Sequence, residues 1–262
     1  MSNHHDHSKH DHGTHKHAFG IDVGGSGIKG APVNLHTGEF AADRLRIPTP
    51  RGSTPEAVTA VIAELVNSFD LPKDTPVGVA FPAPILHGVV PSIANLDQSW
   101  AGVNLDEVVS AALNRRVIGV NDADAAGVGE ATYGAAKGVD GVVFVATLGT
   151  GIGSALLVDG HLVPNTELGH LQIDGHDAES RAADSAKARE DLSWEQWAQR
   201  LQRYFETIEY LFSPDLIVVG GGVSKHHEKF LPLLNLRAPI IPATLRNAAG
   251  IVGAASLAAR VH

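Results

Sequence analysis

Short apolar runs alternate along the chain with longer stretches of helical character. The runs are β-branched or apolar and are bounded by Gly, Pro, Asn or Asp, which predicts strands at residues 18–23, 28–33, 77–80, 117–120, 142–146, 152–158 and 216–219. Helices are predicted at residues 54–68, 105–114, 123–133, 194–212 and 246–260, with Ser193 as an N-cap. This mixed order of strands and helices predicts an α/β fold.

Two pairs of predicted strands share one design. Residues 19–34 and residues 142–160 each read as strand, glycine-rich turn and strand, with Ser26 in the first turn and Thr150 in the second. Glycine in such a turn permits positive φ and lets another group approach the backbone closely. The two hairpins indicate two similar half-molecules, and a cleft between them is the expected ligand site.

The glycine turns are candidate phosphate sites, although neither matches a standard nucleotide motif. The first contains G-x-G-x-x-G, but strand-like residues and Pro32 follow it where a helix is needed, and no P-loop motif occurs. Successive backbone N–H groups in a glycine turn can instead form a concave nest for anions. The residues expected to act in this way are Gly24, Gly25, Ser26, Gly27, Gly149, Thr150 and Gly151, with Lys29 as a nearby positive charge. A plain hairpin turn is the alternative for either segment alone.

Polar and glycine residues also follow predicted strands. Asp22, at the end of the first strand, is a candidate ligand for Mg²⁺ through water. Asn121 and Asp122 follow the strand at 117–120, and Asp122 is either a helix N-cap or a general base. Gly221 and Gly222 belong to a run of three glycines that either admits an extended ligand or forms a bare turn.

A second polar group lies near residue 170. Glu167 and His170 are separated by about one helical turn. Together with Asp174 and His176 they are a candidate metal site, and the alternative is hydrogen bonding to a polyhydroxylated ligand. Asn95 is a further candidate donor and acceptor, although a lone Asn is usually a turn residue.

Composition excludes several classes of protein. The chain has 262 residues, of which 44% are apolar and 19% charged, so it can bury a sizeable core. Its net charge of −9 argues against non-specific nucleic-acid binding. The lack of cysteine excludes disulfides, thiolate zinc sites and cysteine nucleophiles. No apolar run has the length of a membrane span and no signal peptide is visible, so we expect a cytoplasmic protein without a membrane partner.

The first 17 residues are distinct in composition. They carry seven of the fifteen histidines, mixed with charged residues, and contain no core-forming residue. Such a segment predicts a disordered tail with incidental metal affinity, or alternatively a metal-delivery arm.

Five motifs in order resemble those of the actin/hexokinase-type sugar kinases of the ROK (repressor, open reading frame, kinase) family. Residues 22–30 resemble the first phosphate motif, residues 148–153 the second and residues 217–224 the adenosine motif, while residues 121–126 and 167–170 are similar to ROK signatures. The resemblance implies a ribonuclease H-like, duplicated two-lobed fold with a ligand cleft between the lobes. The implied small lobe comprises residues 18–121 with a C-terminal helix at 246–262, and the large lobe residues 122–245.

The resemblance also implies residue roles. Asp122 would be the catalytic base and Asp22 the residue that positions Mg²⁺. Sugar hydroxyls would bind Asn95, Asn121, Asp122, Glu167, His170 and Glu179. The phosphate donor would bind the two glycine turns, Lys29, Gly221 and Gly222, and Lys137, Lys225, Lys229 and Arg246 are candidates for a basic donor groove.

The sequence differs from the usual pattern of the family at two places, and these differences indicate which members it resembles. Residues 171–183 contain no cysteine, so the structural zinc of most members is not expected, and Asp124 replaces a more usual Asn. The short form without zinc ligands is similar to the polyphosphate-dependent glucokinases and glucomannokinases of the family. The implied reaction is transfer of a phosphoryl group from polyphosphate or ATP, with Mg²⁺, to the 6-hydroxyl of glucose and of mannose, in a homodimer. The alternatives are an ATP-dependent kinase for another hexose, such as N-acetylmannosamine or fructose, or a sugar-sensing ROK regulator without its DNA-binding domain.

Overall fold

The computed structural model describes residues 15–261, which form two five-stranded sheets, a two-stranded sheet and seven α-helices. The strands of the first sheet are β1 (His17–Gly24), β2 (Gly27–Asn34), β3 (Leu45–Ile47), β4 (Val77–Phe81) and β5 (Val117–Asn121). Those of the second are β6 (Val142–Leu148), β7 (Ile152–Val158), β8 (His161–Val163), β11 (Leu216–Gly220) and β12 (Ile240–Pro242), while β9 (Gln172–Ile173) pairs with β10 (His176–Asp177). The helices are α1 (Pro55–Asn67), α2 (Leu105–Leu113), α3 (Asp122–Tyr133), α4 (Ala178–Ala182), α5 (Asp184–Arg189), α6 (Trp194–Phe212) and α7 (Ala249–Val261).

The two large sheets have the same topology. In the first, β1 pairs with β2 antiparallel and with β4 parallel, and β3 and β5 lie at the edges. In the second, β6 pairs with β7 antiparallel and with β11 parallel, and β8 and β12 lie at the edges. This repetition confirms the two similar half-molecules that the hairpin sequences predict.

Strand alternation gives each sheet two covered faces. In β1, Phe19, Ile21 and Val23 point into one core with α1 and α2, and the intervening residues face the opposite side. In the second sheet, Phe144 of β6 belongs to a core that it shares with Trp197 of α6. The inner faces of the sheets are covered by α7 and α3, which pack against each other.

Glycine permits the close packing of α7 on the first sheet. A Cβ atom at Gly20 would collide with the backbone of Ile251, and one at Gly78 would collide with the backbone of Ala254. On the other side of α7, Gly253 lies against the backbone of Ala125 in α3. The C-terminal helix therefore packs closely against both the first sheet and α3. The limits of the two lobes along the chain stay a prediction.

All the predicted strands and helices are present, with differences at their ends. His17, which the sequence analysis places in the tail, pairs with Asn34 in β1, while residues 1–14 lie outside the described part of the chain. Arg246–Ala248 forms a 3₁₀ turn before α7 where the sequence predicts α-helix from residue 246. Within residues 15–261, no helix has the length and apolar character needed to cross a membrane.

Candidate active site

A cavity of about 770 Å³ opens between the two sheets. Twelve of the residues predicted from the sequence line it: Gly24, Gly25, Asn95, Asn121, Asp122, Gly149, Thr150, Gly151, Glu167, His170, Glu179 and Gly221. Residues without a sequence prediction complete the wall, among them Pro82, Pro84, Ser92, Ile93 and Thr147. Segments from both halves of the chain therefore meet at one concave site, which is where the duplicated design predicts a ligand.

Asp122 begins α3 at the point where β5 ends. The side chain of Asn121 accepts hydrogen bonds from the backbone N–H groups of Ala123 (2.9 Å) and Asp124 (3.1 Å), so Asn121 is the N-cap and Asp122 is the first helical residue. Sequence reasoning left open whether Asp122 caps the helix, and the structure gives that role to Asn121. Burial raises the pKa of Asp122 to about 6, and the negative charges of Asp22 and Glu167 add to this increase.

Asp22 and Lys29 face each other across the first hairpin. The Lys29 ammonium lies 3.2 Å from an Asp22 carboxylate oxygen, and both side chains are about one-quarter exposed. Lys29 is therefore bound to Asp22 and is not a free charge beside the phosphate turn. The negative charge of Asp22 also raises the pKa of Asp122, so the two carboxylates interact electrostatically. Such hard oxygen donors fit Mg²⁺, so the residues present are compatible with the predicted ion.

The first glycine turn is held from outside the cleft. The hydroxyl of Thr49 donates to the carbonyl of Gly24, and the guanidinium of Arg46 donates to the carbonyl of Ser26 at 2.6 Å. Arg46, on β3, is a positive charge at this turn that sequence reasoning missed. The only signal for it is its position opposite Lys29 in the β2–β3 pairing, which requires knowledge of the register.

The second glycine turn packs against the carboxylate of one residue, Glu179. Glu179 accepts a hydrogen bond from the N–H of Ile152 at 3.0 Å, and its carboxylate occupies the space that a side chain at Gly151 would need. In the turn itself, the N–H of Gly149 donates to the carbonyl of Gly151 at 3.0 Å. Gly221, with φ of 84°, lies against the backbone of Leu148, where any side chain would collide. The second and third glycine segments thus approach one another closely only because Gly221 lacks a side chain.

His170 is oriented by a carboxylate that the sequence analysis did not select. Its Nδ1 lies 2.9 Å from Asp177, while Nε2 lies 3.9 Å from Glu167. The hydrogen bond to Asp177 raises the pKa of His170, and burial raises the pKa of Glu167. Asp177 is also the N-cap of α4, where it accepts from the N–H groups of Glu179 and Ser180. An N-cap aspartate before a short helix was the available signal in the sequence.

The candidate metal set of Glu167, His170, Asp174 and His176 is wrong. Asp174 turns away and binds Arg203 through both carboxylate oxygens, at 2.8 and 2.9 Å, and His176 lies in β10. The ligand atoms that do lie within 4.8 Å of one another belong to His170, Asp177 and Glu179. The short loop between β9 and β10 reverses the chain, which brings Asp177 to His170 and leaves Asp174 at the tip.

Three predicted glycine-segment residues, Ser26, Gly27 and Gly222, are not among those that line the cavity. Ser26, Gly27 and Gly222 belong to the same glycine segments as the lining residues. Of the candidate basic residues, Lys229 lies over the ring of Trp194, 5.5 Å from its centroid.

The sequence and fold of this chain are similar to those of known sugar kinases. Residues 18–185 match the sequence model of the ROK family. The polyphosphate glucokinase of Mycobacterium tuberculosis is 49% identical over 238 residues, which cover 90% of this chain and 89% of that protein. The crystal structure of the inorganic polyphosphate/ATP-glucomannokinase from Arthrobacter sp. strain KM is 52% identical, covers 95% of this chain and 100% of that one, and gives a TM-score of 0.90. The structure of a ROK family glucokinase from Streptomyces griseus, in complex with glucose and AMPPNP, has the same fold. It is 22% identical, covers 92% of this chain and 99% of that one, and gives a TM-score of 0.78.

Proposed function

This chain belongs to the ROK family, and we propose that it is a glucokinase that transfers a phosphoryl group from inorganic polyphosphate or ATP to the 6-hydroxyl of glucose. One observation carries the proposal: the carboxylate of Asp122, whose pKa is raised to about 6, lies in a cleft lined both by polar side chains that can bind a sugar and by the glycine turns. The likeness to the polyphosphate glucokinase and the polyphosphate/ATP-glucomannokinase supports the choice of donors and of glucose.

The polar side chains and the glycine turns of the cleft have different proposed roles. Asn95, Asn121, Glu167, His170 and Glu179 present amide, carboxylate and imidazole groups that can hydrogen-bond to sugar hydroxyls. The backbone N–H groups of the glycine turns are suited to phosphoryl oxygens. Because the transition state of phosphoryl transfer is loose, fixed positions and charge stabilisation supply most of the catalysis.

Asp122 is the proposed general base. Its carboxylate accepts the proton of the 6-hydroxyl as that oxygen attacks the terminal phosphorus of the donor, and the donor's bridging oxygen takes the electron pair of the bond that breaks. Mg²⁺ held by Asp22 would neutralise charge on the donor's phosphates. The N-terminus of α3 stabilises the ionised form of Asp122, and Asn121 fixes the turn that presents it.

Mannose as a second acceptor, a homodimeric assembly and a cytoplasmic location complete the proposal. The likeness to the Arthrobacter glucomannokinase supports mannose as a second acceptor. N-acetylmannosamine and fructose remain the alternative acceptors, and a sugar-sensing regulator is the alternative without turnover.

The test combines a substrate screen with one variant. The purified chain is supplied with Mg²⁺, each hexose and either polyphosphate or ATP, and sugar phosphate is measured. We expect glucose 6-phosphate from both donors. Asp122→Asn should lower kcat by about 10²–10⁴, the usual contribution of a general base, and should leave glucose binding measurable by calorimetry. The control is Asp70→Asn at an exposed position.

Three outcomes would contradict the proposal. Preferential turnover of another hexose would favour the alternative acceptors. Glucose binding without turnover in the wild-type protein would favour a regulator. A near-normal kcat in Asp122→Asn would remove Asp122 from the role of base.

A further inference from the structure

Two lysines converge on one indole ring beside the glycine segments of the cleft. The Nζ atom of Lys187 lies 4.4 Å from the centroid of the Trp194 ring, and that of Lys229 lies 5.5 Å from the same centroid. Trp194 begins α6 and is half-buried, and its ring also contacts those of Trp197, His226 and Phe230. An aromatic face attracts a cation, but it does not neutralise two positive charges.

Each lysine is joined to a different glycine segment by a short piece of chain. Ser185, two residues before Lys187, binds the second glycine turn: its N–H donates to the carbonyl of Gly149 at 3.1 Å and its hydroxyl donates to the carbonyl of Thr150 at 2.6 Å. Lys229 ends the 3₁₀ segment Gly222–Lys229, which starts directly after Gly221 of the cleft wall. Both lysines therefore belong to segments that continue outward from the glycine residues of the cleft.

Neither lysine forms an ion pair with a carboxylate within residues 15–261. Glu190, the acidic residue next along from α5, is already bound to Arg189 and Arg200. Both ammonium groups lie within 5.5 Å of one ring centroid, so an anion that reached both would be attracted by two positive charges.

We propose that Lys187 and Lys229 form a second donor site, which binds phosphates of a polyphosphate chain beyond those held by the glycine turns. The inference rests on the proposed donor. A protein with a net charge of −9 repels a long polyanion at a distance, so local positive groups are needed along its path. A long polyphosphate carries a charge on every unit and extends past the cleft, whereas the charge of ATP ends with its three phosphates.

The experiment measures binding of the donor without the reaction. Full-length wild-type protein, Lys187→Gln, Lys229→Gln and the double variant are titrated by calorimetry with long-chain polyphosphate, tripolyphosphate and ATP, at two salt concentrations. Lys73→Gln is the matched control, because Lys73 is an exposed lysine in the loop before β4, at the end of that strand opposite the cleft. KM values for the same donors are measured with glucose.

We expect the double variant to bind long-chain polyphosphate about tenfold more weakly, as the loss of two exposed charge pairs predicts. Its affinity should also depend less steeply on salt, because fewer charge contacts remain to be screened. Affinities for tripolyphosphate and ATP should change less than twofold, and Lys73→Gln should match the wild-type protein.

Unchanged affinity of the double variant for long polyphosphate would overturn the inference, and so would an equal loss for all three donors. These outcomes are separate from failure of the proposed function. A wild-type protein that binds polyphosphate but phosphorylates no glucose would refute the kinase reaction, while the comparison of variants would still decide whether the two lysines bind the polyanion.

Discussion

The side-chain amide of Asn165 binds both backbone polar groups of Ile85 across the cleft. Its Oδ1 accepts from the N–H of Ile85 at 2.8 Å, and its Nδ2 donates to the carbonyl of Ile85 at 3.0 Å. Ile85 belongs to the core of the first half, while Asn165 lies two residues before Glu167 in the second half. The backbone N–H of Asn165 in turn donates to a buried oxygen of Asp124 at 2.7 Å. This chain of bonds fixes the segment that carries Glu167 relative to the opposite wall.

Asn165→Gly is therefore expected to weaken sugar binding. Asn165 has a φ of 58°, which glycine adopts freely, so the variant removes the two hydrogen bonds without straining the backbone. At about 1 kcal/mol for each of the two bonds, KM for glucose should rise by up to roughly thirtyfold and kcat should change less. Asn114→Gly, at an exposed left-handed position that ends α2, is the control in steady-state assays. An unchanged KM would show that the two bonds do not position the sugar site.

The pH profile should report the ionisation of Asp122. Because its pKa is raised to about 6, the base is protonated below that pH and ionised above it. We expect kcat/KM for glucose to rise about tenfold per pH unit up to about pH 6 and then to level off. Initial rates between about pH 5 and 8, at constant ionic strength, test this expectation. A flat profile for the wild-type protein over that range would assign the limiting step to another group.

Asp177→Asn should change His170 while keeping the helix cap. An Asn side chain still accepts from the N–H groups of α4, but it lacks the charge that holds the imidazole. The pKa of His170 should fall, and KM for glucose should rise severalfold because the ring loses its fixed orientation. Proton NMR titration of the ring and steady-state kinetics measure the two effects.

The matched control for Asp177→Asn is Asp174→Asn, which lies on the same loop and binds Arg203 instead. It should alter neither the pKa of His170 nor KM. If both variants shift KM equally, the effect comes from the loop and not from the bond to His170.

Asp124→Asn should stabilise the protein near neutral pH. Asp124 is 1% exposed, one of its oxygens has no hydrogen-bond partner, and burial raises its pKa to about 7. A raised folded-state pKa contributes stability that is present below the unfolded value of 3.8 and is lost as the pH rises through about 7. Removal of the charge should thus increase the free energy of unfolding by ~1–4 kcal/mol at about pH 8 and have little effect at about pH 4. Urea unfolding at both pH values tests this, and equal changes at both would contradict it.

The sequence predicts those parts of the fold and site that depend on local pattern. The strands and helices with strong periodicity are present, and both glycine hairpins form because their turns are short and glycine-filled. The edge strands β3, β8 and β12 were missed because each is three residues long and is defined by its neighbour's hydrogen bonds. Pairings that depend on register or loop reversal were also missed, such as Arg46 with Ser26 and Asp177 with His170. For Asp174 the sequence predicted a contact that does not form. Its spacing from His170 suggested that the two are neighbours, but Asp174 binds Arg203.

The position of α7 has a consequence for how the chain folds as it is synthesised. The inner face of the first sheet, including Gly20 and Gly78, is covered by residues 249–261, which are synthesised after all the strands of both sheets. By then every strand of the second sheet has already been made, so that half can assemble its core while the half translated first still has an uncovered face. The half that is translated first can thus be the half whose core is completed last.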